Sequence, residues 1–240
     1  MPDITHARID DLRAVEFLEG FTFRRAGREL GVTPFGMSII DMPPDATAYP
    51  AHDHHSEGPG NPPAHQLGQE EVYIALRGSA EIEVDGRRHP VDADHIIRVG
   101  ATARRKILPG PDGVRLLALS GVPGQAYDPE LTDASERTVS SDEMGFEAIG
   151  TDTGAQVSII AVDAAPGTGP GLHRHPYEEV FVVLDGEATF TLGAAQRVAH
   201  AGDVVVAAAN VPHAFTNSGQ TPLRQVDVHV SPRFETEWLA

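Results

Sequence analysis

Gly167-Thr-Gly-Pro-Gly-Leu-His-Arg-His-Pro-Tyr-Glu-Glu-Val-Phe-Val-Val-Leu-Asp-Gly186 is the stretch on which the fold of this chain turns. Its tail, Glu179-Val-Phe-Val-Val-Leu-Asp-Gly186, repeats an earlier phrase, Glu71-Val-Tyr-Ile-Ala-Leu-Arg-Gly78. Ahead of the tail, His173 and His175 are two residues apart, and strand side chains alternate with period two, so both imidazoles face one side. Glu179 arrives from the next strand, and Gly202-Asp203, His213 and Asn217 follow. His173, His175, Glu179 and His213 therefore form a candidate metal set, in which Glu179 is also the candidate acid-base residue.

The repetition runs beyond the phrase. Ser38-Ile-Ile-Asp-Met-Pro-Pro44 answers Ser158-Ile-Ile-Ala-Val-Asp-Ala-Ala-Pro166, and each leads to a His-x-His, His52-Asp-His54 in the first case. Alternating stretches before Asp85-Gly86 and Gly193 read as hairpins. Every element is a short strand with no helical period. The reading is two domains, 1–132 and 133–240, the tail of the first becoming linker-like from 121, where Gly, Pro, Asp, Glu and Ser take over. A Pro/Gly-rich surplus over residues 55–68 lengthens the first half and is expected to cover its mouth.

Composition narrows the chemistry. Among 240 residues there is no cysteine, which removes disulfides, thiol nucleophiles and iron-sulfur clusters, so any metal is held by nitrogen and oxygen. A formal net charge of −17 disfavours nucleic acid and anionic lipid as partners. Apolar windows are too short for a membrane span and residues 1–20 lack a secretory pattern, so a cytoplasmic location is expected. Residues 26–38 faintly suggest a helix-turn-helix, but Pro34 and Gly36 would break its second helix and the strand repeat claims Met37 to Met42.

The spacings of the second half resemble the two motifs of the cupin superfamily. Gly167, His173-x-His175, Glu179 and Gly186 complete the first motif; Gly202, His213 and Asn217 carry the second, with Ala208 and Asn210 at turn positions usually filled by proline and glycine. Asn tolerates positive φ best after Gly, so the turn should survive. The resemblance implies an all-β bicupin of two tandem antiparallel jelly-roll barrels. It also implies one divalent transition metal per chain (Fe, Mn, Ni, Co or Zn) in the C-terminal barrel, and a small-molecule substrate. Dioxygenase-like chemistry on an enolisable or aromatic compound leads, with isomerisation, decarboxylation or non-catalytic binding as alternatives. Assembly as a homodimer is compatible with the sequence.

The first half reads differently. Repeat alignment selects His52, His54 and Glu71, whereas local spacing selects His65 with Leu67; either way Arg104 is taken to replace the third imidazole. A guanidinium has no lone pair to donate and repels a divalent ion, so this site is expected to be metal-free, with Arg104 a candidate for carboxylate or phosphate recognition. In the second half, alternation puts Phe181, Val183 and Phe215 on the inward face, making an apolar pocket with Phe181 and Phe215 as substrate-contact candidates. His229, sharing a strand face with Asp227, is a further candidate for substrate contact, for a hydrogen bond behind the ligands or for a general base.

Overall fold

The computed structural model describes residues 4–32, 34–56, 68–121, 136–140, 147–148 and 150–239. In the first half, strands β1 (Ile4–Arg8), β2 (Ala14–Leu18), β3 (Phe21–Arg24), β4 (Gly36–Met42), β5 (Glu70–Val84), β6 (Arg87–Val91), β7 (His95–Val99) and β8 (Arg105–Gly121) are followed by β9 (Glu136–Ser140). In the second come β10 (Glu147–Ala148), β11 (Ser158–Ala164), β12 (His173–Arg174), β13 (Glu179–Asp185) and β14 (Glu187–Leu192). These lead to β15 (Ala195–His200), β16 (Asp203–Ala207), β17 (His213–Asn217), β18 (Leu223–His229) and β19 (Glu237–Trp238). The strands build an all-β, antiparallel molecule. One sheet runs β2-β3-β4-β8-β5-β7-β9 with β6 on β5; a second runs β1-β16-β13-β18-β11-β10; a third runs β15-β14-β17-β12-β19.

Why β13 and β16 read as near-continuous apolar runs is explained by what lies on each face. Phe181, Val183 and Val205 point into the interior of the second half with Phe190 and Phe215. Their neighbours Val180, Val182, Val204, Val226 and Val228 point the other way, into a cluster shared with Val72, Ile74, Leu117 and Leu119 of the first half. A strand buried on both faces has no polar side to show. Each such side chain stabilises the joint by roughly 1.5–3 kcal/mol relative to exposure. Strand β14, covered on one face only, alternates between half-buried and buried residues.

The glycine ending each repeated phrase has a steric cause. Gly78 and Gly186 sit at φ 71 and 83, and a Cβ there would meet the Gly113 carbonyl oxygen at 2.1 Å or the Pro222 carbonyl oxygen at 2.8 Å. Asn210, predicted to adopt positive φ, does so at 64°. Ala26–Leu30 is a single short helix ended by Gly31 in the left-handed region, after which the chain enters β4 at Gly36; no recognition helix follows.

One boundary differs from the sequence reading. β1 pairs with β16, Ile4 facing Ala207 and Arg8 facing Asp203, so residues placed in the 1–132 unit complete the sheet of the second half. Reciprocally β9, from beyond residue 133, pairs with β7 of the first half. Both are edge strands, whose alternation says that they pair without saying with what. Buried Glu70 ties the halves again: one carboxylate oxygen accepts from Arg98 Nε at 2.7 Å and the other from the backbone N–H of Gln156 at 2.7 Å. The expected covering loop lies mostly outside the described residues, as do His65 and Leu67. No helix among the described residues is long and apolar enough to cross a membrane.

Candidate metal centre

Pairing of β12 with β17 sets His173 directly across from His213, and β13 delivers Glu179 beside them. His173, His175, Glu179 and His213, all buried, bring their ligand atoms within 4.8 Å of one another. Their orientation follows from what the outer ring nitrogens do. His173 Nδ1 donates to the Gly171 carbonyl at 2.8 Å, His213 Nδ1 to the Val211 carbonyl at 2.8 Å, and His175 Nδ1 to the Glu235 carbonyl at 2.9 Å. A carbonyl only accepts, so each Nδ1 carries a proton, and each imidazole, when it holds no second proton, turns an Nε2 lone pair inward. His213 Nε2 and His175 Nε2 then lie 2.8 and 3.1 Å from Glu179 Oε2, and His175 Nε2 is buried without the geometry of a hydrogen bond. Converging lone pairs and a carboxylate call for a cation. The all-nitrogen-and-oxygen donor set fits one divalent transition metal.

His229 stands behind this set. It is buried, with Nε2 3.2 Å from Glu179 Oε1 and its ring 4.8 Å from that of His175. Burial is the largest reason its pKa falls to about 4, so it is neutral at physiological pH. Asp227, on the same face of β18, is buried too, and Gln225 Nε2 donates to its Oδ1 at 2.8 Å. Desolvation first, then the charge of Glu179, push its pKa well above the carboxylate range. Asp227, His229, Phe181 and Phe215 line one cavity of about 310 Å³ with His173, His175 and Glu179. The structure thus gathers the candidates of the second half around one space.

Burial opposes charging His175, but the adjacent Glu179 carboxylate outweighs it and its pKa rises above 6.5. Glu179 is also penalised by burial, yet His229, His175 and His213 hold its pKa well below 4.5. In metal-free protein the His175–Glu179 pair therefore contributes stability below pH 6.5 that is lost as pH rises through the raised His175 value. The depressed Glu179 contributes above pH 4.5 and loses its contribution as pH falls through its low folded value. A bound ion needs unprotonated imidazoles, so the rise in Tm on adding Zn(II) is expected to grow between about pH 6 and about pH 8. Melting curves with and without the ion check this; a rise independent of pH would count against the ligand set.

The first half holds a related but altered cluster. His52 and His54 donate from Nδ1 to the carbonyls of Pro50 and Gln69, at 3.2 and 2.9 Å, and their Nε2 atoms lie 3.5 Å from Glu71 Oε2. The Tyr73 hydroxyl donates to the same oxygen. The side chain completing the group is Arg105, a correction to the expectation for Arg104. His52 bridges to Arg105 as His173 pairs with His213, and Arg105 Nε lies 3.5 Å from Glu71 Oε2 with the residue at 0% exposure. Arg104 points outward, half exposed, donating from Nη2 to the Ala51 carbonyl at 2.7 Å and pairing with Asp53 at 3.4 Å. Parity decides the matter: Ile107 belongs to the interior cluster, so position 105 faces inward and 104 outward. That parity was available in the sequence; the adjacent arginines hid it.

Comparison with known proteins agrees with this geometry. Residues 161–229 match the cupin domain family. That cupin match spans β11 to β18 and so contains all four ligand residues. The whole fold is shared more widely. An oxalate decarboxylase of Lactobacillus farciminis in complex with formate superposes with a TM-score of 0.74 at 16% identity, covering 98% of this chain and 88% of that one. A variant of the Bacillus subtilis oxalate decarboxylase gives 0.72 at 15% identity, covering 98% and 79%. Another structure of the Bacillus subtilis enzyme, one concerned with its Mn(II) centres, gives 0.71 at 15% identity over the same shares. No curated protein sequence matches the chain significantly.

Proposed function

We propose that the chain is a two-barrel cupin whose C-terminal barrel is a mononuclear divalent-metal site for redox-neutral chemistry, decarboxylation foremost, on a small oxygenated carboxylic compound. The observation that carries this reading is Asp227, a buried carboxyl on the wall of the ligand cavity with one oxygen already engaged by Gln225. When bound, the ion supplies a Lewis acid that chelates and polarises substrate oxygens. His173, His175, Glu179 and His213 hold it, and the carbonyls of Gly171, Glu235 and Val211 keep the imidazoles aimed. His229 steadies the second oxygen of Glu179. As the carbon–carbon bond to the carboxylate of a 3-oxo acid breaks, carbon dioxide leaves and the bonding electron pair stays on the middle carbon, spread into the 3-oxo carbonyl as an enolate. Protonated Asp227 gives its proton to that carbon and regains one from solvent. Phe181 and Phe215 keep the reacting end dry. The oxalate decarboxylases that share the fold are consistent with this chemistry.

A second reading, oxygen-dependent cleavage of an enolisable compound, is favoured by the apolar lining. Incubating metal-loaded protein with 3-oxo acids while following carbon dioxide and dissolved oxygen separates the two. Carbon dioxide without oxygen uptake is the expected result, and Asp227→Asn should retain the metal while slowing turnover. Oxygen consumed in step with product would replace the first reading by the second. Tight binding with no product at all would mark a small-molecule-binding protein.

A further inference from the structure

After β18 the chain does not leave the barrel. Residues 231–239 run back along β12 as a strap: the Glu235 N–H donates to the Tyr177 hydroxyl at 3.0 Å, the Leu239 N–H to the Leu172 carbonyl at 2.9 Å, and β19 pairs with β12. Arg174 clamps it with two hydrogen bonds to Glu237, at 2.8 and 3.0 Å. The strap gives the cavity a further wall of Phe234, Thr236 and Trp238. Trp238 is placed opposite His173 in the sheet register, its ring centroid 5.0 Å from that imidazole. Yet it remains 65% exposed, the most exposed large apolar side chain among the described residues. An indole fixed by its strand at the lip of a cavity, tilted 45° against the His173 ring and with most of its surface uncovered, presents a preorganised stacking surface.

We propose that Trp238 sets the substrate class, by stacking on the aromatic body of a carboxylic compound whose oxygens reach the His173, His175, Glu179 and His213 cluster; this rests on the metal reading given above. The rest of the wall suits such a body, since Ile160, Val162, Phe181, Phe215 and Phe234 offer apolar surface. A bare dicarboxylate the size of oxalate would fill little of the 310 Å³ and leave most of the exposed indole uncovered. The favoured class is therefore an aryl-substituted oxo acid.

Trp238 is the sole tryptophan of the chain, so its emission reports on this lip alone. Titrating chelator-treated protein with Co(II) should quench that emission with a stoichiometry near one, because a paramagnetic ion on His173 would lie within reach of the indole. Calorimetry on Zn(II)-loaded protein then compares benzoylformate with pyruvate, which presents the same 2-oxo carboxylate without the ring. Benzoylformate is expected to bind at least about tenfold more tightly, with Trp238→Phe keeping most of the difference and Trp238→Ala erasing it. Zinc content should be unchanged in both variants. Equal affinities, undiminished discrimination in Trp238→Ala, or no binding of either acid would overturn the stacking role while leaving the metal site standing. Failure of Co(II) to bind or quench would overturn the metal reading beneath it.

Discussion

Replacing His213 or His175 by alanine will leave the protein without its metal. Each supplies one of four converging ligand atoms, and no other imidazole among the described residues is placed to substitute except His229, which is held against the far oxygen of Glu179. Altering even a partner that orients a ligand typically costs 10- to 100-fold in affinity. Loss of a ligand itself should exceed that, taking metal content from about one per chain to near none after dialysis. His52→Ala should leave it unchanged, because that side chain belongs to the cluster that already contains a guanidinium. Elemental analysis of protein purified without added metal decides it. Metal retained in His213→Ala, or lost in His52→Ala, would place the ion elsewhere.

Arg105 should prove a costly charge to remove. It is fully buried against Glu71, whose own pKa, raised by burial, is nevertheless drawn far below the carboxylate range by His52, Arg105 and His54. Arg105→Met keeps the bulk and takes the one permanent positive charge away from Glu71, and breaking a buried pair in this way destabilises by about 3–5 kcal/mol. For a chain of this size that corresponds to a fall in Tm of roughly 6–20 °C. Arg105→His is the informative companion. It restores an imidazole opposite His52 and removes the repelling charge, so metal content should climb toward two per chain. A Tm unchanged in Arg105→Met would sink the account of the cluster. A single metal in Arg105→His would show that geometry, and not charge alone, excludes the ion.

The C-terminal ligand set was legible in the sequence because parity turns His173 and His175 to one face and the spacings to Glu179 and His213 resemble the two cupin motifs. Parity also placed Phe181 and Phe215 inside, and the φ preference of asparagine anticipated the turn at Asn210. Parity was the tool that could have separated Arg105 from Arg104, had it been carried back from Ile107 instead of counted forward from the repeat. The burial of His229 was not foreseeable from its residue type; it follows from the register that sets it across from Glu179. The strap over residues 231–239 gave no signal, since its polar alternation with one tryptophan reads as an ordinary tail. Its role appears only when β19 is seen beside β12.

The exchange of edge strands also shapes how the protein is made. β1 emerges roughly two hundred residues before β16, its partner, a separation that places this contact among the slowest kinds to form. Until then the nascent strand carries an unpaired edge, and the sheet meant to receive it does not exist. A ribosome stalled anywhere before β16 would hold a chain with an orphan β-edge, the species that chaperones retain and that aggregates when they do not. Synthesis of β16, more than completion of the first half, is the event that releases this molecule from that risk.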